Sequence, residues 1–166
     1  MPLRLELAAE TDAPDIVTLR AQVAAKLTAQ FGQGNWSGVS TEKGVLLDLR
    51  TSKVWIARRR GRLVATLRLA TKKPWAIDLR YFSASRRPLY LLSMAVTPEL
   101  QRQGIGRQCL QQVAEIAREW PADAVRLDAY DAPAGAGPFY AKCGFRAVGR
   151  ATYRGCPLEY FELVVR

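Results

Sequence analysis

Apolar positions in this chain change period several times, and each change predicts an element. Leu3, Leu5 and Leu7 alternate with polar neighbours and predict a strand over Arg4–Ala8. Ile16, Leu19, Val23 and Leu27 then recur at helical spacing behind Thr11 or Asp12 as a cap, with Pro14 and Asp15 in the first turn. Phe31–Gly38 holds three glycines and two aromatics and predicts a mobile loop. Ser40 or Thr41 caps a second short helix that runs through Leu49. Lys53–Arg58 and Leu63–Ala70 predict strands of an antiparallel hairpin turning at Gly61. Lys72–Pro88 is polar, carries two prolines and predicts an irregular excursion with an apolar piece at Trp75–Phe82. Leu89–Val96 is an apolar run that predicts a buried strand, ended by Pro98. Ile105, Cys109, Leu110, Val113, Ile116, Ala117 and Trp120 form one stripe of a helix. Ala124–Tyr130 predicts a strand, Ala134–Cys143 a short helix stopped by Gly144, and Phe145–Ala151 and Leu158–Val165 two final strands.

The order β-α-α-β-β-β-α-β-α-β-β predicts an α/β (α+β) fold: a mixed, mostly antiparallel sheet with helices on both faces. The strand–helix–strand run from Leu89 to Tyr130 makes a central parallel βαβ pair. A chain of 166 residues suits a single domain, 1–166. No stretch has the roughly 18 apolar residues of a membrane span, and the N-terminus lacks the apolar core of a leader. Three cysteines, Cys109, Cys143 and Cys156, form no disulfide framework, and Cys109 on the apolar stripe reads as a buried thiol. A cytoplasmic protein is expected.

Charge changes the picture in one segment. The net charge is +10, yet Arg50–Tyr90 holds twelve Lys or Arg and one acid, Asp78. That segment nets +11 and the remainder −1. Aromatic interleaving is thin, so a solvated hairpin turn at Arg58–Arg62 is favoured over a nucleic-acid contact. An anionic small ligand would gain from the same field. The chain contains no histidine, which excludes a Ser-His-Asp triad, a Cys-His pair and a His-containing zinc site.

The strand–loop–helix at Val96–Trp120 carries the clearest chemistry. Loop amides and the helix dipole, about half a positive charge, make an anion cradle. Gly104 and Gly106 lack a Cβ that would hold a phosphate off, and they tolerate positive φ.

Two segments together resemble the GNAT superfamily of N-acyltransferases. Gln101-Arg-Gln-Gly104-Ile-Gly106 is similar to that family's Q/R-x-x-G-x-G/A loop, and Phe139-Tyr-Ala-Lys-Cys-Gly-Phe145 to its F-Y-x-x-x-G-F segment, with Ala136 three residues before. The resemblance implies an N-acetyltransferase with a GNAT-like sheet, using acetyl-CoA (CoA) as co-substrate and no metal. The acetyl group would pass directly to a primary amine in a ternary complex. Main-chain groups of Met94, Ala95 and Val96 would pair with pantetheine, and Gln101, Arg102, Gln103, Gly104, Ile105, Gly106 and Arg107 would hold the pyrophosphate. Tyr140 would stand at the thioester sulfur, as proton donor or as hydrogen-bond donor. The implied partner is a small-molecule or peptide amine acceptor, with neither nucleic acid nor membrane, and family members often pair as homodimers.

Two departures bear on mechanism. Pro133 stands where many members carry Asn, and Leu89–Val96 contains no acid to serve as general base. Asp128 is then the candidate base, with Asp131 behind it. A carboxylate paired with Arg126 or capping the next helix is the competing role. Trp36 is a candidate to close over the substrate or to pin its loop to the core, and Asp131 is a second substrate-side candidate. With no histidine to activate it, Cys143 is not assigned as a nucleophile. The alternative function is a non-catalytic acyl-CoA sensor, or a nucleic-acid-associated module using residues 50–90.

Overall fold

The computed structural model describes residues 2–166. The elements are β1 (Leu5–Leu7), α1 (Ala13–Phe31), α2 (Glu42–Thr51), β2 (Lys53–Arg59), β3 (Arg62–Ala70), β4 (Pro88–Val96), α3 (Ile105–Glu119), β5 (Ala124–Tyr130), α4 (Gly137–Lys142), β6 (Arg146–Tyr153) and β7 (Cys156–Val164). This is the order read from the sequence. Among the described residues, seven strands make one sheet in the order β1-β2-β3-β4-β5-β7-β6. The β4–β5 pair is parallel, while β1–β2, β2–β3, β5–β7 and β6–β7 are antiparallel. Among these residues no helix is long and apolar enough to cross a membrane. The chain divides into two compact units, one of the residues up to Ala70 with Leu92–Gln112, the other of Thr71–Leu91 with Val113–Arg166.

In the first unit, α1 and α2 place Ala13, Ile16, Leu19 and Val45 against Val54, Ile56 and Leu63 of the hairpin and Ala95 of β4. Thr41 caps α2 by accepting the Gly44 amide at 3.0 Å. The expected side-chain cap of α1 is absent. A 3-10 turn, Glu10–Asp12, runs directly into the helix, and the Asp12 carboxylate instead accepts the Ala9 amide at 2.8 Å and a guanidinium N–H of Arg58. The loop predicted over Phe31–Gly38 is tied down rather than loose. It holds a 3-10 turn, Asn35–Ser37, with Ser37 Oγ 2.6 Å from Thr28 Oγ1. The hairpin turns through Arg60 and Gly61, both at positive φ (52° and 76°), as a type I′ turn requires. Three of its arginines are paired with acids: Arg58 with Asp12, Arg62 Nη2 with Glu99 at 2.7 Å, and Arg68 Nη2 with Asp48 at 3.5 Å. Glutamines on α3 clamp the chain around β1: Gln112 accepts the Leu5 amide at 2.8 Å and donates to the Leu3 carbonyl at 2.7 Å.

In the second unit, Leu89, Val125, Leu127, Tyr160 and Phe161 are buried. One ion pair is buried with them. Arg126 Nε donates to Glu162 at 2.9 Å, and the two side chains are 4% and 1% exposed. Arg126 Nη2 donates to the Ser83 carbonyl at 2.6 Å, and Glu162 accepts the Ser83 amide at 3.1 Å. The pair thereby fastens the 72–88 excursion. Tyr160 adds a hydroxyl bond to the Ala76 carbonyl at 2.5 Å, and Asp123 accepts the amides of Arg86 and Arg87, each at 3.1 Å.

Candidate active site

Strand β4 leads into the anion cradle of the first unit. Its parallel register with β5 holds over Pro88–Tyr90 (partners Ala124–Arg126), and Ser93 then takes φ +52°. A non-glycine residue in this conformation inside a strand is uncommon and kinks it. After the kink Ala95 faces the unit's core, while Met94 and Val96 are half-buried. Thr97 ends the strand by donating its amide to Val64 O at 2.8 Å.

The loop that follows is braced by its own side chains. Gln101 donates to the Val96 carbonyl at 3.0 Å and accepts from Lys26 Nζ at 2.8 Å. Both ends of its amide are therefore spent on the frame, with the Lys26 charge held beside it. Glu99, the one acid here, is engaged by Arg62 and by Thr97 Oγ1 at 3.1 Å. Arg102 and Gly104 adopt φ +64° and +84°. No atom lies within 4 Å of where a Cβ on Gly104 would stand. A phosphate approaching the backbone there meets open space. Gly106 differs from the expectation, since it sits inside α3 and contributes helix rather than positive φ. The Gln108 amide bonds Gly104 O at 3.0 Å, so Ile105, Gly106 and Arg107 occupy the first turn, whose amides lack intrahelical acceptors. Arg102, Gln103, Gly104 and Arg107 are exposed. These residues fit a pyrophosphate.

Tyr140 belongs to the second unit. Helix α4 buries it to 9% exposure beside Phe139, Phe145 and Phe161, with ring centroids 5.3, 5.7 and 6.1 Å away. Burial raises its pKa well above that of an ordinary phenol, and the charge of Asp128 and then Cys143 push it further. Asp128, half-buried on β5, has its own pKa raised by burial. Its charge also acts on Tyr130 and Tyr160, the latter its register partner on β7. The competing role, pairing with Arg126, is not the arrangement found, because Arg126 is taken by Glu162. Asp131 lies 3.6 Å from Arg150 and its amide donates to Pro157 O, so it is held in a surface pair. Trp36 in the first unit donates its indole N–H to Gly32 O at 2.9 Å and packs under Gly34, pinning its own loop. Cys109 is buried, and that burial pushes its thiol up to about 11.

Sequence reasoning missed the Arg126–Glu162 pair and the kink at Ser93. Partners 36 residues apart leave no local signal. The kink falls in an apolar run with neither glycine nor proline to announce it.

The model of the acetyltransferase (GNAT) family matches residues 24–145, which include the cradle and the Phe139–Phe145 segment. The chain belongs to that family. As a GNAT acetyltransferase it shares its fold with many solved structures. An acetyltransferase of the GNAT family from Streptococcus agalactiae aligns over 98% of this chain and 95% of its own, with a TM-score of 0.79 and 15% identity. A ribosomal-protein-alanine N-acetyltransferase from Brucella melitensis aligns over 98% and 99%, with a TM-score of 0.70 and 20% identity. The ribosomal L7/L12 α-N-protein acetyltransferase RimL, in complex with coenzyme A, aligns over 99% and 94%, with a TM-score of 0.70 and 17% identity. A search of curated proteins returned no match.

Proposed function

We propose that this GNAT acetyltransferase moves an acetyl group from acetyl-CoA directly to a primary amine, without an acyl-enzyme intermediate. The observation that carries the reading is the open, positive-φ Gly104 ahead of the first-turn amides of α3, a shape suited to a pyrophosphate. Lys26, Arg102 and Arg107 supply cationic charge around it, and Gln101 holds the loop to β4. Main-chain groups of Met94, Ala95 and Val96, beyond the kink, pair with the pantetheine arm as an added strand would.

The second unit handles protons. The acceptor ammonium must lose a proton before its nitrogen attacks the thioester carbon, and Asp128 takes that role. Its raised pKa makes it a stronger base than an exposed carboxylate. As the C–N bond forms and the C–S bond breaks, the sulfur leaves as a thiolate. An unperturbed tyrosine already lies above the thiol, at about 10 against about 8.5. Burial widens that gap for Tyr140, so full transfer to sulfur is further uphill. Tyr140 therefore acts as a hydrogen-bond donor to the departing sulfur. The nitrogen, which carries one proton too many once the C–N bond has formed, releases it to solvent, and the thiolate takes a proton from solvent. Asp131 is a weaker candidate for base because Arg150 engages it, and Trp36 serves the loop before it serves a substrate.

The test is thiol release from acetyl-CoA with a panel of amines, run in parallel on Tyr140→Phe. Turnover that the variant lowers about 10- to 150-fold, the span of one hydrogen bond to a charged group, supports the assignment. Tight CoA binding with no turnover on any amine would make the protein an acyl-CoA sensor instead.

A further inference from the structure

The 72–88 excursion combines two properties that seldom coincide: it is fastened from several sides, and it presents large apolar groups to water. Trp75 is 83% exposed, Leu79 50% and Tyr81 39%. A tryptophan has roughly 150–250 Å² to bury, and here nearly all of it is left outside. The backbone beneath does not move freely. Lys73 Nζ donates to the Pro74 and Ile77 carbonyls at 2.9 and 2.8 Å, closing the turn that carries Trp75. Asp78 accepts the Arg80 amide at 3.0 Å and starts the 3-10 turn Leu79–Tyr81. Ala76 and Ser83 are bonded to Tyr160 and to the buried Arg126–Glu162 pair. The backbone that carries the display is held in place, so ordering it adds little to the cost of binding an incoming partner.

Its charge specifies the kind of partner. Residues 72–88 include Lys72, Lys73, Arg80, Arg86 and Arg87 against the single acid Asp78, which Arg80 already engages at 2.6 Å. The surface also leads toward the candidate base within the same unit. Tyr81 lies 5.5 Å from Tyr160, ring to ring, and Tyr160 is the register partner of Asp128.

We infer that this excursion is a docking platform for an acidic polypeptide segment that bears apolar side chains, belonging to the acceptor. The assignment of that segment as acceptor rests on the acetyl-transfer reading; the docking itself does not. A polypeptide suits the surface better than a nucleic acid. Single strands bind on successive aromatic platforms, whereas here the exposed apolar groups are one tryptophan, Trp75, and aliphatic Leu79, and the Tyr81 ring is committed to Tyr160.

The experiment is fluorescence anisotropy of a short labelled peptide of glutamates interrupted by leucine and tyrosine, with no acetyl-CoA present. The same peptide with glutamine for glutamate is the control. Saturable binding that weakens with salt, and about 30-fold on Trp75→Ala, is expected for a hot-spot aromatic. Lys72→Glu should weaken it about tenfold at low salt. Melting should be unchanged in Trp75→Ala, since that side chain is already in water. Equal binding of the glutamine peptide, or no loss on Trp75→Ala, would overturn the platform. So would a single-stranded oligonucleotide that binds more tightly and loses affinity in the same variants. Acetylation of the peptide's free N-terminus separates the two readings. Binding as expected with no acetylation of any amine keeps the platform and removes the acetyl-transfer reading. Acetylation with a KM indifferent to Trp75→Ala does the reverse.

Discussion

Removing Glu162 tests how the second unit is held together. Glu162→Ala leaves the Arg126 guanidinium, only 4% exposed, without its counter-charge and strips the Ser83 amide of its acceptor. Breaking a buried pair from one side costs about 3–5 kcal/mol, because the surviving charge is uncompensated. At about 2–4 °C per kcal/mol for a chain of this size, the melting temperature should fall by roughly 6–20 °C. Replacing both members, Arg126→Met with Glu162→Leu, removes the stranded charge and should recover most of that loss. Ser83 stays without either partner in the double variant, so amide exchange across the excursion should remain faster than in the native protein. pH gives an independent check. Burial pushes the Glu162 pKa up, but hydrogen bonds from Arg126 and Ser83 outweigh it, leaving the folded value below the ordinary one. Its contribution is therefore complete above the unfolded value, about 4.3, and is lost as pH falls through the folded one. Thermal unfolding followed by circular dichroism reads all three. A loss below about 1 kcal/mol in Glu162→Ala, the range of a solvated pair, would refute the reasoning, as would a double variant no better than the single one.

Two further outcomes follow from the same structure. Asp128→Asn should lower kcat by about 10²- to 10⁴-fold, the usual worth of a general base, with CoA affinity unchanged. Because burial raises the pKa of Asp128, native activity should fail on acidification at a higher pH than about 3.9, the ordinary aspartate value; a pH–rate profile with no such limb would remove it as the base. Cys109, buried and pushed up to about 11, should resist iodoacetamide at mildly alkaline pH while the half-buried Cys143 and Cys156 react, as read by peptide mass spectrometry.

Much of the fold was legible because its signals are local. Alternation in β1, the glycine turn at Gly61 and the apolar stripe of α3 each lie within one element, and their predicted bounds fall within a residue or two of those found. The glycine turn ahead of α3 was legible for the same reason, since Gly104 and the helix start are contiguous. What escaped depended on partners, near and far, that no pattern along the chain announces. Asp12 has the right chemistry for a cap, but Arg58 on β2 and the Ala9 amide claim its carboxylate. Phe31–Gly38 has the composition of a mobile loop, yet Thr28 and the Trp36 indole tie it down. Gln101 reads as a phosphate ligand until Val96 and Lys26 are seen to occupy its amide.

The cradle itself offers the most direct measurement. Calorimetric titration of CoA into the native protein and into Gly104→Val places a branched side chain in the open space over the loop. The strain of a β-branched residue at φ +84° falls on an exposed turn, so melting should drop only modestly. The account predicts CoA binding by the native protein and none by a folded Gly104→Val. Unchanged affinity in that variant would contradict it.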